Sequence, residues 1–140
     1  MNRQLISLAL ATIFINSLAF VPSVDAQNGQ DPRDRKCEQN AETLTSTSGG
    51  KYRRGSRFWE EREIRIELRK LEQCKANWVK ADVPAGTLLY LKGQDGKTYV
   101  SYQTQTDGVS FGDRMNYSKP FSACAKLPDG REVCTSIVGN

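Results

Sequence analysis

The chain of 140 residues contains no histidine. This absence excludes a histidine general base, a catalytic triad built on imidazole and any metal site with imidazole ligands. Four cysteines are present, and no two of them are separated by only two to four residues, which argues against a zinc site. The sequence therefore predicts neither catalytic nor metal-ligating residues, and no cofactor.

The first 26 residues are typical of a cleaved export signal. Arg3 precedes an apolar run from Leu5 to Val21, and Val24-Asp25-Ala26 places small residues three before and one before the bond to Gln27. The run is short for a membrane span and ends at a proline. We predict cleavage after Ala26, no membrane span in the mature chain, and a secreted or periplasmic location.

The mature chain has 140 minus 26, or 114, residues, a length that fits one domain. Residues 27–36 are polar and predict a flexible arm with nothing to bury, whereas residues 37–140 predict a single disulfide-stapled domain. Cleavage removes one charge of each sign, so the net charge stays at +4. This mild excess permits contact with an anionic surface without requiring it.

Residues 60–72 fit two periodicities. Ile64, Ile66 and Leu68 alternate with charged residues, as in a strand with one apolar face. Ile64, Leu68 and Leu71 also fall at helical spacing. A helix would leave Ile66 off the apolar stripe and stack like charges four residues apart, so a strand is predicted.

Further along the chain the pattern is more plainly β. Asp95-Gly96 predicts a type I′ turn that places Leu91 opposite Val100 and Leu89 opposite Tyr102. Residues 46–50 and 51–59 have the composition of loops. We predict an all-β fold of about six strands, a partly closed barrel or sandwich entered by a long N-terminal arm. An α+β fold with a helix at 60–72 is the alternative.

The last hairpin predicts the disulfide pairing. Leu127-Pro128-Asp129-Gly130-Arg131 matches a three-residue loop with proline at the first turn position and glycine in the left-handed position. Counting back along the two strands places Cys124 opposite Cys134, within disulfide range. An even cysteine count in an exported protein favours two disulfides, so Cys37 is left to pair with Cys74 and tether the arm. Trp78 is predicted to pack against that bridge.

Several residues resemble the YjfA-like family, small secreted bacterial proteins of unknown function. The most specific part is the block from Leu68-Arg69 through Cys74 and Ala76 to Trp78, supported by residues on either side of it: Asp31-Pro32, Cys37, Ala41, Ile66-Glu67, Met115 and Cys124. Lys70-Leu71 departs from the family pattern, in which an aromatic and a small hydroxyl residue follow Leu-Arg. The resemblance implies a bacterial exported domain, and it carries no catalytic residue over to this chain.

The stretch from Lys51 to Trp59 stands out as a candidate binding site because it contains four cations interleaved with three aromatic residues. Such a pattern can contact an anionic extracellular polymer through charge and ring stacking, although it also fits a solvated basic loop. The candidate binding residues are Lys51, Tyr52, Arg53, Arg54, Arg57 and Trp59. The leading hypothesis is a non-catalytic binding or structural module whose partner is an anionic cell-surface polymer or a secreted protein.

Two alternatives come from other functional classes. A rigid disulfide-bonded β-domain could inhibit a foreign secreted enzyme. A hydrolase would need carboxylates, and the candidates are Glu60, Glu61, Glu63, Glu67 and Glu72. Arginines interleave with these glutamates, which favours an ion-paired face, and we predict that the protein is not an enzyme.

Overall fold

The computed structural model describes residues 28–34, 36–55, 60–116 and 119–139. These residues form nine strands and one turn of 3-10 helix at Glu72–Cys74. The strands are β1 (Glu42–Arg53), β2 (Glu61–Leu71), β3 (Ala76–Val83), β4 (Leu88–Gly93), β5 (Thr98–Gln103), β6 (Gly108–Phe111), β7 (Met115–Asn116), β8 (Phe121–Lys126) and β9 (Glu132–Cys134). The predicted all-β class is confirmed, and the described residues contain more strands than the six expected.

The strands are arranged in two antiparallel sheets. The first, sheet A, has the order β1-β2-β3-β6, with β7 also paired to β3, and the second, sheet B, has the order β5-β4-β8-β9. Residues from both sheets form one buried apolar cluster. Two separate sheets that share a core fit the sandwich alternative of the prediction.

Residues 60–72 were compatible with a strand or a helix in the sequence, and the structure has a strand there, β2. Ile64, Ile66 and Leu68 are each at most 1% exposed and point into the shared core. Opposite them, sheet B contributes Leu89, Leu91, Phe121, Ala123 and Ala125. The helical alternative for 60–72 is wrong, because β2 pairs along its length with β1 and β3.

Residues 46–53, part of the two stretches 46–50 and 51–59 predicted as loops, are instead the second half of β1. Ser46, Thr47 and Ser48 are held by pairing with β2, and one irregularity in register follows between Ser48 and Lys51. Gly49 lies so close to the core that a Cβ there would be 2.8 Å from Cγ2 of Ile64. A polar strand of this kind has no apolar signature of its own, so composition alone misassigns it.

The β4–β5 hairpin differs from its predicted register near the turn. Gly93 N–H donates to the Lys97 carbonyl at 3.0 Å, so the loop has three residues and Leu91 faces Tyr99. A bulge then restores the predicted pair of Leu89 and Tyr102. Val100 lies in that bulge at φ +48°, a strained conformation for a β-branched residue, which the turn sequence does not signal.

The last hairpin has the predicted register. Leu127 N–H donates to the Arg131 carbonyl at 2.9 Å, and Gly130 adopts φ +91°. Cys124 lies opposite Cys134, and the two are joined by a disulfide with Cα atoms 4.1 Å apart. The second disulfide joins Cys37 to Cys74.

The arm is hydrogen-bonded to the domain at its N-terminal end. Gly29 N–H donates to the Arg114 carbonyl at 2.8 Å, and Arg114 N–H donates to the Gln30 carbonyl at 2.7 Å. Asn116 N–H donates to Oδ1 of Asn28 at 2.8 Å, and Pro32 is buried. Polar composition did not indicate these contacts.

Among the described residues, no helix has the length and apolarity that a membrane crossing requires.

Candidate functional site

Four of the six predicted binding residues lie at one end of sheet A. Lys51, Tyr52 and Arg53 are the last three residues of β1, and Arg54 follows directly. They therefore lie on an edge strand and its end, not in a loop as predicted. Arg57 and Trp59 lie outside the described residues.

Tyr52 is used inside the fold. Its ring packs against the main core, and its hydroxyl donates to Oδ1 of Asp82 at 2.6 Å. Nε of Arg62 donates to Oδ2 of the same carboxylate at 3.0 Å, and Nη2 forms a second, shorter bond to it. The three side chains join β1, β2 and β3, so Tyr52 is a structural residue and is not positioned to stack on a ligand.

The electrostatics of this triad follow from its partial burial. Burial alone would raise the pKa of the Asp82 carboxyl, but hydrogen bonds from Arg62 and Tyr52 outweigh it and hold that pKa below its ordinary value. Burial, together with the bond to Asp82, raises the pKa of the Tyr52 phenol. The triad is thus a carboxylate, a neutral phenol and a guanidinium at neutral pH.

The basic residues at this end remain accessible although they are partly paired. Nζ of Lys51 lies 3.1 Å from Glu61, and Nη1 of Arg54 lies 3.7 Å from Glu60, with side-chain exposures of 69% and 45%. Exposed pairs of this kind contribute only about 0–1 kcal/mol, so a ligand anion can replace the glutamates at little cost. Arg53 is exposed and forms no ion pair with any described residue.

A cavity of about 230 Å³ adjoins the triad and is lined by Arg62, Glu63, Arg65 and Asp82. Asp107 links the segments that follow β1 and β3. Its carboxylate accepts hydrogen bonds from the backbone N–H groups of Gly55 at 2.5 Å and Ala85 at 2.7 Å. The site is therefore a surface with charges of both signs, and the hydrogen bonds of Asp82 and Asp107 hold its backbone segments together.

The candidate carboxylates for hydrolysis are mostly engaged in ion pairs. Glu60 faces Arg54 and Arg62, and Glu61 faces Lys51. Glu67 lies 3.9 Å from Arg65. Glu63 lines the cavity and Glu72 lies in the 3-10 turn. No two of these five are set apart as an acid and a base by the contacts described.

Sequence reasoning missed a polar cluster around Glu38. Its Oε2 accepts a hydrogen bond from Nε1 of Trp78 at 2.7 Å. Its Oε1 accepts one from Nη2 of Arg69 at 3.1 Å and lies 3.6 Å from Nζ of Lys80. A cavity of about 260 Å³ lies beside it, lined by Arg33, Lys36, Glu38 and Gln39. The only sequence signal was the nearness of Glu38 to Cys37.

Sequence reasoning also missed a carboxyl with altered acidity. Burial raises the pKa of Asp113, and the nearby charges of Asp31 and Asp34 add to the effect. In the segments that the structure describes, no group of three or more potential ligands is arranged to hold a metal ion.

The triad predicts a specific pH dependence of stability. Because the folded pKa of Asp82 lies below its unfolded value, its contribution is present above that value and is lost as pH falls below about 4. Asp82→Asn should lower the free energy of unfolding at pH 7 by about 1–3 kcal/mol. The difference from wild type should shrink on acidification, which urea unfolding at a series of pH values measures.

Tyr52→Phe is the matched control for this variant. It removes one hydrogen bond to Asp82 but leaves the Arg62 pair, so its cost should be about 1 kcal/mol. A difference between wild type and Asp82→Asn that stays constant down to pH 2 would contradict the role given to the carboxylate.

Comparison of the chain with protein-family models, with curated proteins and with solved structures gives no match in any of the three. The functional reading therefore depends on this chain's own residues.

Proposed function

We propose that the mature chain is an exported, non-catalytic binding module that contacts an anionic extracellular polymer. The observation that carries this proposal is the accessibility of Lys51, Arg53 and Arg54 at the end of an edge strand. The hydrogen bonds of Tyr52 and Arg62 to Asp82 fix the end of this strand, so the cations extend from a rigid support. The resemblance to YjfA-like proteins and a secreted or periplasmic location belong to the same proposal.

The contact should be mainly electrostatic. Tyr52 is occupied by the core and by Asp82, so ring stacking would have to come from Trp59, which lies outside the described residues. Glu60 and Glu61 must yield their cations to the ligand, which lowers the net attraction. Weak, strongly salt-dependent binding is the expected consequence.

The two disulfides support an oxidising location for this function. Both bridges form within the domain, and no cysteine of the chain is left free. Disulfides of this kind persist in extracellular and periplasmic compartments. A small stapled domain with a solvent-exposed cationic edge suits contact with a cell-surface polymer more than it suits catalysis.

The test compares two variants that remove the same charge. One is Lys51→Gln with Arg53→Gln and Arg54→Gln. The control is Lys97→Gln with Lys119→Gln and Lys126→Gln, three exposed lysines on sheet B and its loops. On phosphocellulose eluted with a sodium chloride gradient, the first variant should elute well before wild type and the control close to it.

Retention should also fall steeply with salt for wild type and less steeply for the first variant, because fewer counterions are released. If the two triple variants elute together, retention depends on net charge alone and the proposed site is wrong.

A further inference from the structure

The disulfide between Cys37 and Cys74 has an unequal environment at its two sulfurs. Cys37 is fully buried, whereas Cys74 is partly exposed. Nη1 of Arg114 donates to Sγ of Cys37 at 3.4 Å. The bridge therefore joins a partly exposed residue to a buried one whose sulfur lies against a guanidinium.

Arg114 is placed for this contact by the arm. Its side chain is 1% exposed, and its Nη2 donates to Oε1 of Gln30 at 2.8 Å. Its backbone N–H and carbonyl both bond to the arm at Gln30 and Gly29. The pKa of Asp31 is lowered mainly by its hydrogen bond with Arg33, and the positive charge of Arg114 lowers it further. A fixed positive charge thus lies beside the Cys37 sulfur.

We propose that Cys74 is a thiol-exchange site, at which a small thiolate attacks Sγ of Cys74 and displaces Cys37 as a thiolate stabilised by Arg114. The new S–S bond joins the incoming sulfur to Cys74, and the bond between Cys74 and Cys37 breaks. Its electron pair leaves on Sγ of Cys37. No oxidant or reductant beyond the incoming thiolate is needed, because one disulfide and one thiolate replace another.

The direction of attack follows from residue burial and from the leaving group. Cys74 is the partly exposed residue of the pair and Cys37 the fully buried one, and exchange is faster when the displaced sulfur is stabilised as a thiolate. A neighbouring guanidinium is one of the features that stabilise protein thiolates.

The second disulfide is an internal control with the same pattern of burial. Cys124 is fully buried and Cys134 partly exposed, as in the first pair. Among the residues that the structure describes, no guanidinium or ammonium donates to either of its sulfurs. The two bridges thus share one pattern of burial and differ in the cation beside the buried sulfur.

Exchange would open a small core. Cys37, Ala76 and Trp78 form a buried cluster separate from the main one, and Glu38, next to Cys37, binds the Trp78 indole. Once Cys37 is detached from Cys74, only noncovalent contacts hold Cys37 and Glu38 against Trp78. Trp78 should then become more exposed, and its fluorescence should shift to longer wavelength.

The experiment treats the oxidised, full mature protein with 2-mercaptoethanol under native conditions, quenches with acid and maps adducts by mass spectrometry. We expect the adduct on Cys74 to form about tenfold faster than any adduct on Cys124 or Cys134, the scale of a leaving-thiol effect. In a Trp59→Phe background the adduct should appear together with the fluorescence shift of Trp78. An adduct on Cys37, or equal or faster exchange at the second bridge, would overturn the proposal.

Variants at Arg114 separate charge from packing. Arg114→Met should slow exchange at Cys74 by about tenfold, and Arg114→Lys should restore part of the rate. If Arg114 served only to hold the arm, its loss would loosen the bridge and make exchange faster. Should the methionine variant fail to fold, the selectivity measured on wild type still decides the matter.

Discussion

Trp78→Ala should lower the free energy of unfolding by about 3–5 kcal/mol, the cost of emptying a buried aromatic site. The indole is fully buried and packs with Cys37 and Ala76, beside Cys74, Leu71 and Phe111. These neighbours belong to the segment that follows the arm, to β2, the 3-10 turn, β3 and β6, and the disulfide limits how far they can collapse into the space. Urea unfolding followed by far-UV circular dichroism, with both disulfides intact, measures the loss.

One control variant separates packing from hydrogen bonding, and a second shows the effect of a substitution at an exposed site. Trp78→Phe keeps an aromatic ring and loses the indole N–H that Glu38 accepts at 2.7 Å, so its cost should be about 1–3 kcal/mol. Val109→Ala, at a residue that is 51% exposed, should change stability by less than about 0.5 kcal/mol. A loss below about 1 kcal/mol for Trp78→Ala would show that this second cluster contributes little to the fold.

Removing the long-range disulfide should be comparably costly. Cys37→Ala with Cys74→Ala opens a ring whose ends are 37 residues apart, for which the chain-entropy relation gives about 4 kcal/mol. Loss of the contact between Arg114 and Cys37 adds to this figure, because a buried guanidinium loses an acceptor. The midpoint of urea unfolding should fall accordingly.

The other bridge supplies the matched comparison. Cys124→Ala with Cys134→Ala opens a ring whose ends are only 10 residues apart, for which the same relation gives about 3 kcal/mol. The hairpin around it is also held by its turn and by backbone pairing. A larger loss from the short ring than from the long one would contradict this ranking.

Part of the fold could be predicted because it depends on contacts close together in the chain. Pro128, Asp129 and Gly130 select one turn, and that turn alone sets Cys124 opposite Cys134. Alternation from Ile64 to Leu68 likewise predicts the buried face of β2, since strand period and burial act within a few residues. With one bridge assigned, the other followed by elimination.

The candidate site was only partly predictable for the opposite reason. The cluster of cations was visible in the sequence, but the engagement of Tyr52 with Asp82 depends on residues 30 apart that meet only when β1, β2 and β3 pair. The strand nature of β1 has the same origin, because its serines and threonines are ordered by a neighbouring strand and not by their own preference.

The sequence by itself determined the all-β class and the cysteine partners, and the missing histidine ruled out imidazole chemistry. Tertiary structure alone decided the surroundings of each cysteine, and it placed Arg114 against Cys37 across 77 residues of chain. Local turns and alternation can be read from neighbouring residues, whereas a buried cation beside a sulfur results from packing between distant segments. That packing distinguishes two disulfides that the sequence presents as equivalent staples.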